Sequence, residues 1–412
     1  MVYRYTHPEF FADWEKPDFK QYSGSLILYG AGRRGMVAAH CLKKLGIEFI
    51  CFCDSDVEKH GTQVSGHKVI SPEELRKNYA YMPILITTNH YYYLAEMLTS
   101  QGFQVFSCVS LFMEIDFDGF DEDFSIEYMC RNTDQYFNSL LTNSGKSGEY
   151  LADLLLCVTN RCTLSCRECS AYIPYGTDHV DFDSAVIIEN LERLLGAYST
   201  IGNVSLYGGE PLLHQGLPML VRECVSKTQV NKVTIITNGT LLPGIKLVEE
   251  LRSPKVRVRI SDYGTLSTER DELIKMLKEN DVFYEVTNFK HWDITPIVDV
   301  LDETDEQLKE KVRNCCAIAK IPLVLDGKMF FCSFSGYFDY YKAVPDFGDN
   351  YVNLLEFKGS GEELREEINN KLQMAANGLP KEACRYCKFD HLAQHLPVAE
   401  QTSDVLKFKK VY

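Results

Sequence analysis

Short apolar runs alternate with amphipathic stretches over about the first 110 residues of the chain. Four of these runs predict buried strands, at residues 26–29, 49–53, 83–87 and 104–106. Between the first two runs, apolar residues recur on one face of a predicted helix, at Met36, Ala39, Leu42 and Leu45. Strands that alternate with helices indicate a parallel sheet. We therefore expect an α/β domain at residues 1–112.

The alternation stops over residues 113–150, which we interpret as an acidic linker. Acidic residues cluster there, at Asp116, Asp118, Asp121, Glu122 and Asp123. Residues 143–148 have the small and polar composition of a flexible connection. Some helix is expected around residues 128–141.

A second alternating series begins near residue 151. Its apolar runs predict strands at residues 154–158, 204–207, 233–236, 256–260 and 283–286, with amphipathic helices at 185–195 and 269–278. Repeated strand–helix units predict a full or partial (β/α) barrel over residues 151–312, with its site at the carboxyl ends of the strands. Residues 313–398 form a cysteine-rich segment with weaker periodicity. We expect residues 399–412 to be a solvated tail.

Composition and charge narrow the choice of partners and compartment. The chain has 412 residues, a net charge of −15 and no long basic stretch, so we expect no nucleic-acid partner. It shows neither a bilayer-spanning apolar run nor a secretion signal, so we expect a cytoplasmic protein with no membrane partner. Fifteen cysteines in a reducing compartment indicate metal binding or redox chemistry rather than disulfides.

Cys162, Cys166 and Cys169 follow the first strand of the second series, separated by three and then two residues. Thiolates are the usual ligands of iron–sulfur clusters. A four-iron cluster with only three thiolates keeps one iron free for another ligand. The alternative is a structural zinc site, but zinc ribbons favour paired C-x2-C units.

This C-x3-C-x2-C spacing resembles the radical S-adenosylmethionine (SAM) superfamily. The resemblance implies a partial (β/α)6 TIM-like barrel and a cluster that binds SAM through its free iron. Reduction by a donor such as flavodoxin or ferredoxin then yields a 5′-deoxyadenosyl radical that abstracts hydrogen from a substrate. Companion motifs at the strand ends imply SAM contacts from Gly208, Gly209, Glu210, Pro211, Thr237, Asn238, Ser261 and Asp262. Many members have an aromatic residue where this chain has Glu168, which we expect to tune the cluster's surroundings.

A second set of cysteines lies near the carboxyl terminus, at Cys315, Cys316, Cys332, Cys384 and Cys387. This set resembles the shortened auxiliary-cluster extension called twitch, a relative of the SPASM domain. The resemblance implies a second four-iron cluster held by Cys332, Cys384, Cys387 and either Cys316 or Cys315. Zinc held by four thiolates is the alternative. A free member of the adjacent pair is a candidate hydrogen donor to a substrate radical.

The first predicted helix opens with Gly30-x-Gly32-x-x-Gly35, and Asp54 ends the next strand. This context is typical of a dinucleotide-binding loop, with Arg33 and Arg34 as candidate phosphate contacts. With residues 54–75, it resembles the short Rossmann-like domain attached to sugar acyltransferases and other bacterial glycan-modifying enzymes. That resemblance implies binding of a nucleotide or nucleotide-sugar. Alternatively, the loop only packs the helix on the strand, and the domain is an assembly module.

Together these features predict radical C–H activation of a nucleotide-linked or other activated sugar, by epimerisation, dehydration or rearrangement. A peptide or protein substrate is the first alternative, because twitch and SPASM extensions are common in peptide-maturing enzymes. A non-catalytic iron–sulfur electron carrier is the second.

Overall fold

The structure is a computed structural model, and it divides the chain into two compact units, residues 1–146 and 147–412. The described residues are 2–5, 11–12, 14–88, 91–120, 129–130, 133, 136–137, 140, 149–289, 292, 294–315, 321–376, 379–388 and 396–409. No helix among them is long and apolar enough to cross a membrane.

A six-stranded sheet forms the core of the first unit, in the order β4-β5-β3-β2-β6-β7. The strands are β2 (Leu26–Tyr29), β3 (Phe49–Cys53), β4 (Gln63–Val64), β5 (His67–Ile70), β6 (Ile84–Ile86) and β7 (Val105–Ser107). The helices are Arg33–Lys44, Pro72–Asn78, Tyr91–Ser100 and Val109–Phe112. Only the β4–β5 pair is antiparallel among the described pairs of this sheet. The predicted α/β domain is confirmed.

The first unit extends past the predicted boundary at residue 112. β1 (Val2–Arg4) pairs antiparallel with β8 (Glu114–Asp116), inside the segment predicted to be a linker. Tyr136 and Phe137 are fully buried, and the Phe137 ring stacks on Tyr5 at 3.9 Å. Burying large aromatic side chains stabilises a fold, because it removes their apolar surface from water. Tyr136 and Phe137 therefore belong to the core of the first unit. The linker was predicted from the acidic residues at 116–123, and this aromatic pair was not considered.

The second unit is built on an eight-stranded sheet, in the order β13-β12-β11-β10-β9-β15-β16-β17. Its strands are β9 (Tyr150–Thr159), β10 (Thr200–Gly208), β11 (Val233–Thr237), β12 (Val256–Asp262), β13 (Phe283–Asn288), β15 (Leu323–Leu325), β16 (Lys328–Phe330) and β17 (Tyr351–Asn353). The six strands from β13 to β15 in this order are parallel, and β16 and β17 continue antiparallel. This mostly parallel sheet confirms the predicted α/β class.

Helices connect the parallel strands of the second unit, as the amphipathic stretches predict. They are Ser184–Ala197, Leu217–Ser226, Ile245–Leu251 and Arg270–Glu279, followed by Asp305–Asn314, Ser333–Tyr340 and Gly361–Ala376. A two-stranded pair also forms, between β14 (Ile297–Val298) and β18 (Cys387–Lys388). Because consecutive parallel strands end at the same edge, the residues after β9, β10, β11 and β12 lie together.

The sixth parallel strand, β15, comes from the segment predicted to be a separate cysteine-rich extension. Leu323 pairs with Leu155 of β9, and all three β15 side chains are buried. A three-residue apolar run is too short to show a period, which is why the sequence did not predict this strand. The 313–398 segment therefore supplies strands of the main sheet.

Candidate active site and second cysteine cavity

The three predicted cluster ligands lie on residues 160–169, which we call the cysteine loop. The loop follows β9, whose last residue is Thr159, and reaches the edge of the sheet where β10, β11 and β12 also end. The Cys162 thiol is close enough to those of Cys166 and Cys169 for their charges to interact. The structure therefore brings these three cysteines together beside the predicted SAM motifs.

Gly208 and Gly209 hold the cysteine loop against the end of β10. The Gly209 N–H donates to the Thr159 carbonyl (2.9 Å), and the Glu210 N–H donates to the Arg161 carbonyl (2.8 Å). A Cβ on Gly208 would lie 2.0 Å from the Thr159 oxygen, and one on Gly209 would lie 2.1 Å from the Arg161 oxygen. Backbone cannot yield as a flexible side chain does, so only glycine fits. The two glycines therefore allow the end of β10 to approach the backbone of residues 159–161 closely. The N–H groups of residues 209 and 210 are already hydrogen-bonded to that backbone.

Glu210 joins the ends of β10 and β11. Its carboxylate is fully buried and accepts hydrogen bonds from the Asn238 N–H (2.8 Å), the Thr237 hydroxyl (3.0 Å) and the Leu212 N–H (3.0 Å). Pro211 starts the 3₁₀ turn Pro211–Leu213 that this carboxylate caps. Burial raises the pKa of Glu210 to about 7, although the three hydrogen bonds oppose the shift.

Two amide side chains approach the thiols of the cysteine loop. Asn238 Nδ2 lies 3.6 Å from Cys162 Sγ, and Gln401 Nε2 lies 3.2 Å from Cys166 Sγ. Hydrogen bonds to ligand sulfurs are one of the levers that set the reduction potential of a cluster. Asn238 is predicted by its motif. Gln401 was not predicted, because it is 235 residues from Cys166 and belongs to no motif.

The start of the segment 399–409 contacts the cysteine loop, although most side chains of the segment are exposed, as expected for the predicted tail. The Thr402 N–H donates to the Ser165 carbonyl, and the Arg167 N–H donates to the Glu400 carbonyl, both at 2.8 Å. Farther along, the Phe408 ring stacks on Tyr175 at 4.3 Å. Lys407 and Lys409 are exposed, whereas Phe408 between them is half-buried against Tyr175. Residues 410–412 lie outside the described residues.

Glu168, the residue that departs from the family pattern, anchors the loop. Its carboxylate accepts from the Thr295 N–H (2.9 Å) and the Thr295 hydroxyl (2.7 Å). Nearby, the Tyr172 hydroxyl donates to the Pro296 carbonyl. Residues 295–296 therefore connect the cysteine loop to the second cysteine cavity described below, which Pro296 lines. Whether Glu168 also tunes a cluster stays a prediction.

Ser261 and Asp262 end β12, as the sequence predicts, but Asp262 already has partners. Its carboxylate accepts from Arg270 Nη1 (2.8 Å) and from the Gly264 N–H (2.9 Å). The Ser261 carbonyl accepts a hydrogen bond from the Ser267 hydroxyl (3.3 Å). A ligand would share the Asp262 carboxylate with Arg270, so the SAM contact from this residue stays a prediction.

Burial keeps the thiols of the cysteine loop protonated when no metal is bound. It raises the pKa of Cys162 to about 12 and that of Cys166 to about 11, and it also raises the pKa of Cys169. A metal binds thiolates, so loading displaces these protons.

The second set of cysteines lines one cavity, which we call the second cysteine cavity. Cys315, Cys332, Cys384 and Cys387 line it together with apolar side chains, and its space, mouth included, is about 580 Å³. The Cys387 thiol is close enough to those of the other three for their charges to interact. Cys316 lies outside the described residues, so the choice between Cys315 and Cys316 stays a prediction.

The thiol donors at both cysteine sites suit an iron–sulfur cluster or zinc, since both take thiolate ligands. Among the residues that the structure describes, no three His, Cys, Asp or Glu side chains converge closely enough to hold one metal ion. Zinc requires such convergence, because its four ligands bind a single ion at about 2.0–2.3 Å. A four-iron cluster takes each thiolate on a separate iron, and the choice between a cluster and zinc stays a prediction.

Two lysines of the second cysteine cavity differ in their partners. Lys311 Nζ donates to the Glu303 carboxylate and to the Cys384 carbonyl (2.8 Å). Lys381 is only 5% exposed, and its Nζ has no hydrogen-bond partner within the described ranges. Burial lowers the pKa of Lys381 to about 8. Nothing in the local sequence marks Lys381 as different from a surface lysine.

In the first unit, the Asp54 carboxylate is hydrogen-bonded to the loop that carries Gly30, Gly32 and Gly35, which we call the glycine loop. Asp54 accepts from the Ala31 N–H (2.7 Å) and the Asp56 N–H (2.9 Å), and Lys59 Nζ lies 3.2 Å from its carboxylate. A Cβ on Gly35 would lie 2.1 Å from the Gly30 oxygen, whereas one on Gly32 would meet no atom within 4 Å. Gly30 has a φ of +117°, which favours glycine.

These contacts bear on the two interpretations of the loop. Gly30, Gly35 and Asp54 are accounted for by packing within the domain, which is the alternative that the sequence left open. The open side of the loop is at Gly32, beside the exposed Arg33 and the half-buried Arg34. Nucleotide binding by this loop stays a prediction.

Comparison with known protein families gives two matches. Residues 156–320 match the Radical SAM superfamily, and residues 22–98 match the family described as C2185-like, N-terminal. The first covers the cysteine loop and the strand ends around it. The second covers most of the six-stranded sheet.

Curated relatives match over part of their length. GTP 3′,8-cyclase of Clostridium acetobutylicum is 30% identical over 160 residues, which are 38% of this chain and 44% of the relative. GTP 3′,8-cyclase of Heliobacterium modesticaldum is 35% identical over 120 residues, which are 28% and 35%. The chain thus spans less than half the length of these relatives.

Similar solved structures include BtrN in complex with AdoMet and 2-DOIA, with 15% identity and a TM-score of 0.40 over 61% of this chain and 97% of that one. Another is anSMEcpe with bound AdoMet and the Kp18Cys peptide, with 12% identity and a TM-score of 0.37 over 60% and 93%.

Proposed function

We propose that this chain is a radical SAM enzyme, because residues 156–320 match that superfamily, and that Cys162, Cys166 and Cys169 hold its SAM-binding four-iron cluster. The observation that carries this proposal is the gathering of the three thiols on one loop beside the ends of β10 and β11. When bound, the cluster and SAM supply a 5′-deoxyadenosyl radical that abstracts hydrogen from a substrate.

The chain's own residues position and shield this site. Gly208 and Gly209 fix the cysteine loop by close backbone contact, and Glu210 fixes Asn238 through its N–H. Asn238 and Gln401 direct N–H groups at ligand sulfurs, which favours the more negative state of the sulfurs. The segment 399–402 lies over the loop and limits the access of water to it. We propose Glu210, Thr237, Ser261 and Asp262 as residues that contact SAM, with Asp262 shared with Arg270.

A second four-iron cluster is proposed in the second cysteine cavity, with Cys315, Cys332, Cys384 and Cys387 as ligands. Its support is that these four thiols line one cavity. Cys316 then becomes the candidate hydrogen donor of the pair. Single Cys315→Ser and Cys316→Ser variants test this division: the first is expected to lose the iron of one cluster, and the second to lose product but keep iron.

The substrate that we propose is a nucleotide-linked or other activated sugar. Two observations support a nucleotide portion: the glycine loop of the first unit, which is open at Gly32, and curated relatives named for a reaction of GTP. Flavodoxin or ferredoxin is the proposed electron donor. The packing role of Asp54 argues against a ribose contact by that residue, so the arginines Arg33 and Arg34 are the better candidates for the nucleotide.

The activity is tested on protein reconstituted with iron and sulfide under anaerobic conditions. With SAM and a reductant, the wild-type protein is expected to release 5′-deoxyadenosine. The Cys166→Ala variant should fall to background, because its cluster lacks a ligand. Cys224→Ala is the matched control, since Cys224 is a buried cysteine on the helix Leu217–Ser226 with no part in either site. Zinc in place of iron, or a fourth side-chain ligand on the first cluster, would contradict the proposal.

The substrate class is tested by deuterium transfer. Candidate nucleotide sugars and peptides, each carbon-deuterated, are incubated with SAM and reductant, and deuterium in 5′-deoxyadenosine is measured by mass spectrometry. Transfer from a nucleotide sugar is the expected result. Transfer from peptides alone would reject the sugar and support the peptide alternative.

A further inference from the structure

Lys381 is a buried cation to which no carboxylate of the described residues is hydrogen-bonded. Its Nζ lies 4.4 Å from the centre of the Phe331 ring and has no hydrogen-bond partner in the described part of the chain. The side chain lines the second cysteine cavity and is 5% exposed. The face of the Phe331 ring offsets part of the cost of burying this ammonium group, but it supplies neither a hydrogen bond nor an opposing unit charge.

The Asp349 carboxylate raises the pKa of Lys381, but less than the charge of Lys371 lowers it. Asp349 accepts from the Glu382 N–H at 3.1 Å. The other lysine of the cavity, Lys311, already pairs with Glu303. The thiols of Cys332 and Cys384 are the remaining acidic groups whose charge reaches Lys381. Within the described residues, the negative charge at Lys381 therefore comes mainly from these cysteines once they are thiolates, and to a smaller extent from Asp349.

We propose that Lys381 is the counter-charge of the cluster held in the second cysteine cavity and raises its reduction potential. This inference rests on the proposed second cluster. Four thiolates carry more negative charge than a four-iron core offsets, so the loaded centre is an anion. One-electron reduction adds one further negative charge, and a nearby cation stabilises the reduced form more than the oxidised form. Burial matters here, because solvent does not screen this pair as it screens exposed charges.

The proposal is tested by a potentiometric titration of the auxiliary cluster alone. The full chain carries Cys162→Ala, Cys166→Ala and Cys169→Ala, so the EPR signal of a reduced cluster belongs to the second cysteine cavity. Into this background we place Lys381→Met, which removes the charge, and Lys381→Arg, which keeps it. Lys388→Met is the matched control, because it removes an exposed lysine next to Cys387 in sequence.

Lys381→Met is expected to lower the ratio of reduced to oxidised cluster at a fixed potential at least tenfold, a shift of about 59 mV for one electron. Lys381→Arg and Lys388→Met should stay within a small fraction of that shift. If Lys381→Met folds, by circular dichroism, but loads no iron while Lys381→Arg loads, the counter-charge role is also supported.

Three results would overturn the inference. An unchanged potential in Lys381→Met would reject the role of Lys381 while leaving the second cluster in place. Equal loss of iron in Lys381→Arg and Lys381→Met would assign Lys381 a steric role instead. Zinc in the cavity of the triple-cysteine variant would reject both the second cluster and the role of Lys381.

Discussion

Replacing Glu210 with glutamine is expected to remove a pH dependence of stability from the second unit. Glu210 is fully buried, and burial raises its pKa from 4.5 to about 7. The folded chain therefore binds a proton more tightly than the unfolded chain does. Because the native state holds more protons between these two values, stability falls as the pH rises from about 4.5 through about 7. Glutamine cannot titrate, so this part of the pH dependence should vanish.

The magnitude follows from the size of the shift. A difference of about 2.5 pKa units corresponds to about 3 kcal/mol when the carboxyl is fully ionised, of which about 2.5 kcal/mol develops between about pH 5 and pH 8. Glu210→Gln also loses one acceptor among the three bonds to Thr237, Asn238 and Leu212. That loss costs about 1–3 kcal/mol at every pH. The constant and the pH-dependent parts are therefore separable.

The assay is urea unfolding of the iron-free protein at several pH values, followed by tryptophan fluorescence. The chain has two tryptophans, Trp14 in the first unit and Trp292 in the second. In a Trp14→Phe background, fluorescence reports the second unit through Trp292, which packs against Tyr263 at 5.3 Å. The quantity of interest is the free energy of unfolding of Glu210→Gln minus that of the parent.

This difference should rise by about 2–3 kcal/mol in favour of the glutamine variant from about pH 5 to pH 8. Glu272→Gln is a control, because Glu272 is an exposed residue of the helix Arg270–Glu279. A difference that stays constant over this range would refute the reasoning, because it would mean that Glu210 is already ionised at low pH in the folded chain.

Three further expectations follow from single contacts. Gly209→Ala should lose the iron of the first cluster, because its Cβ would lie 2.1 Å from the Arg161 oxygen. Gly32→Ala is the control and should keep its iron, because its Cβ would meet no atom within 4 Å. An iron assay compares the two variants, and full iron in Gly209→Ala would contradict the close-approach role. Gln401→Leu should lower the reduction potential of the first cluster, since it loses one N–H to Cys166 Sγ worth about 0.5–1.5 kcal/mol, and an EPR titration with no shift would reject that role. Asp54→Ala should destabilise the first unit by about 2–3 kcal/mol, because the N–H groups of Ala31 and Asp56 lose their acceptor. Urea unfolding read through Trp14 measures this loss, and a change below about 0.5 kcal/mol would show that Asp54 is free for a ligand instead.

The sequence by itself determined the two α/β units and the three cysteines of the first site. Period and spacing carry that information, because a buried strand is a run of apolar residues and the proposed ligands of the first site are ten residues or fewer from β9. The Gly208–Pro211 and Thr237–Asn238 motifs were found for the same reason. Each is short, local and placed directly after a strand.

Tertiary structure decided which distant residues complete the sites. Gln401 contacts Cys166 although the two are 235 residues apart in the sequence. Lys381 is buried by the fold, and its Nζ has no hydrogen-bond partner among the described residues. A local sequence pattern carries no record of burial or of a missing partner, so neither residue was distinguishable from a surface amide or lysine. The same holds for Asp54, whose motif suggested a ligand contact and whose carboxylate holds its own loop. Spacing along the chain reveals chemistry that is local, whereas the charge and hydrogen bonds of a site depend on which segments the fold brings together.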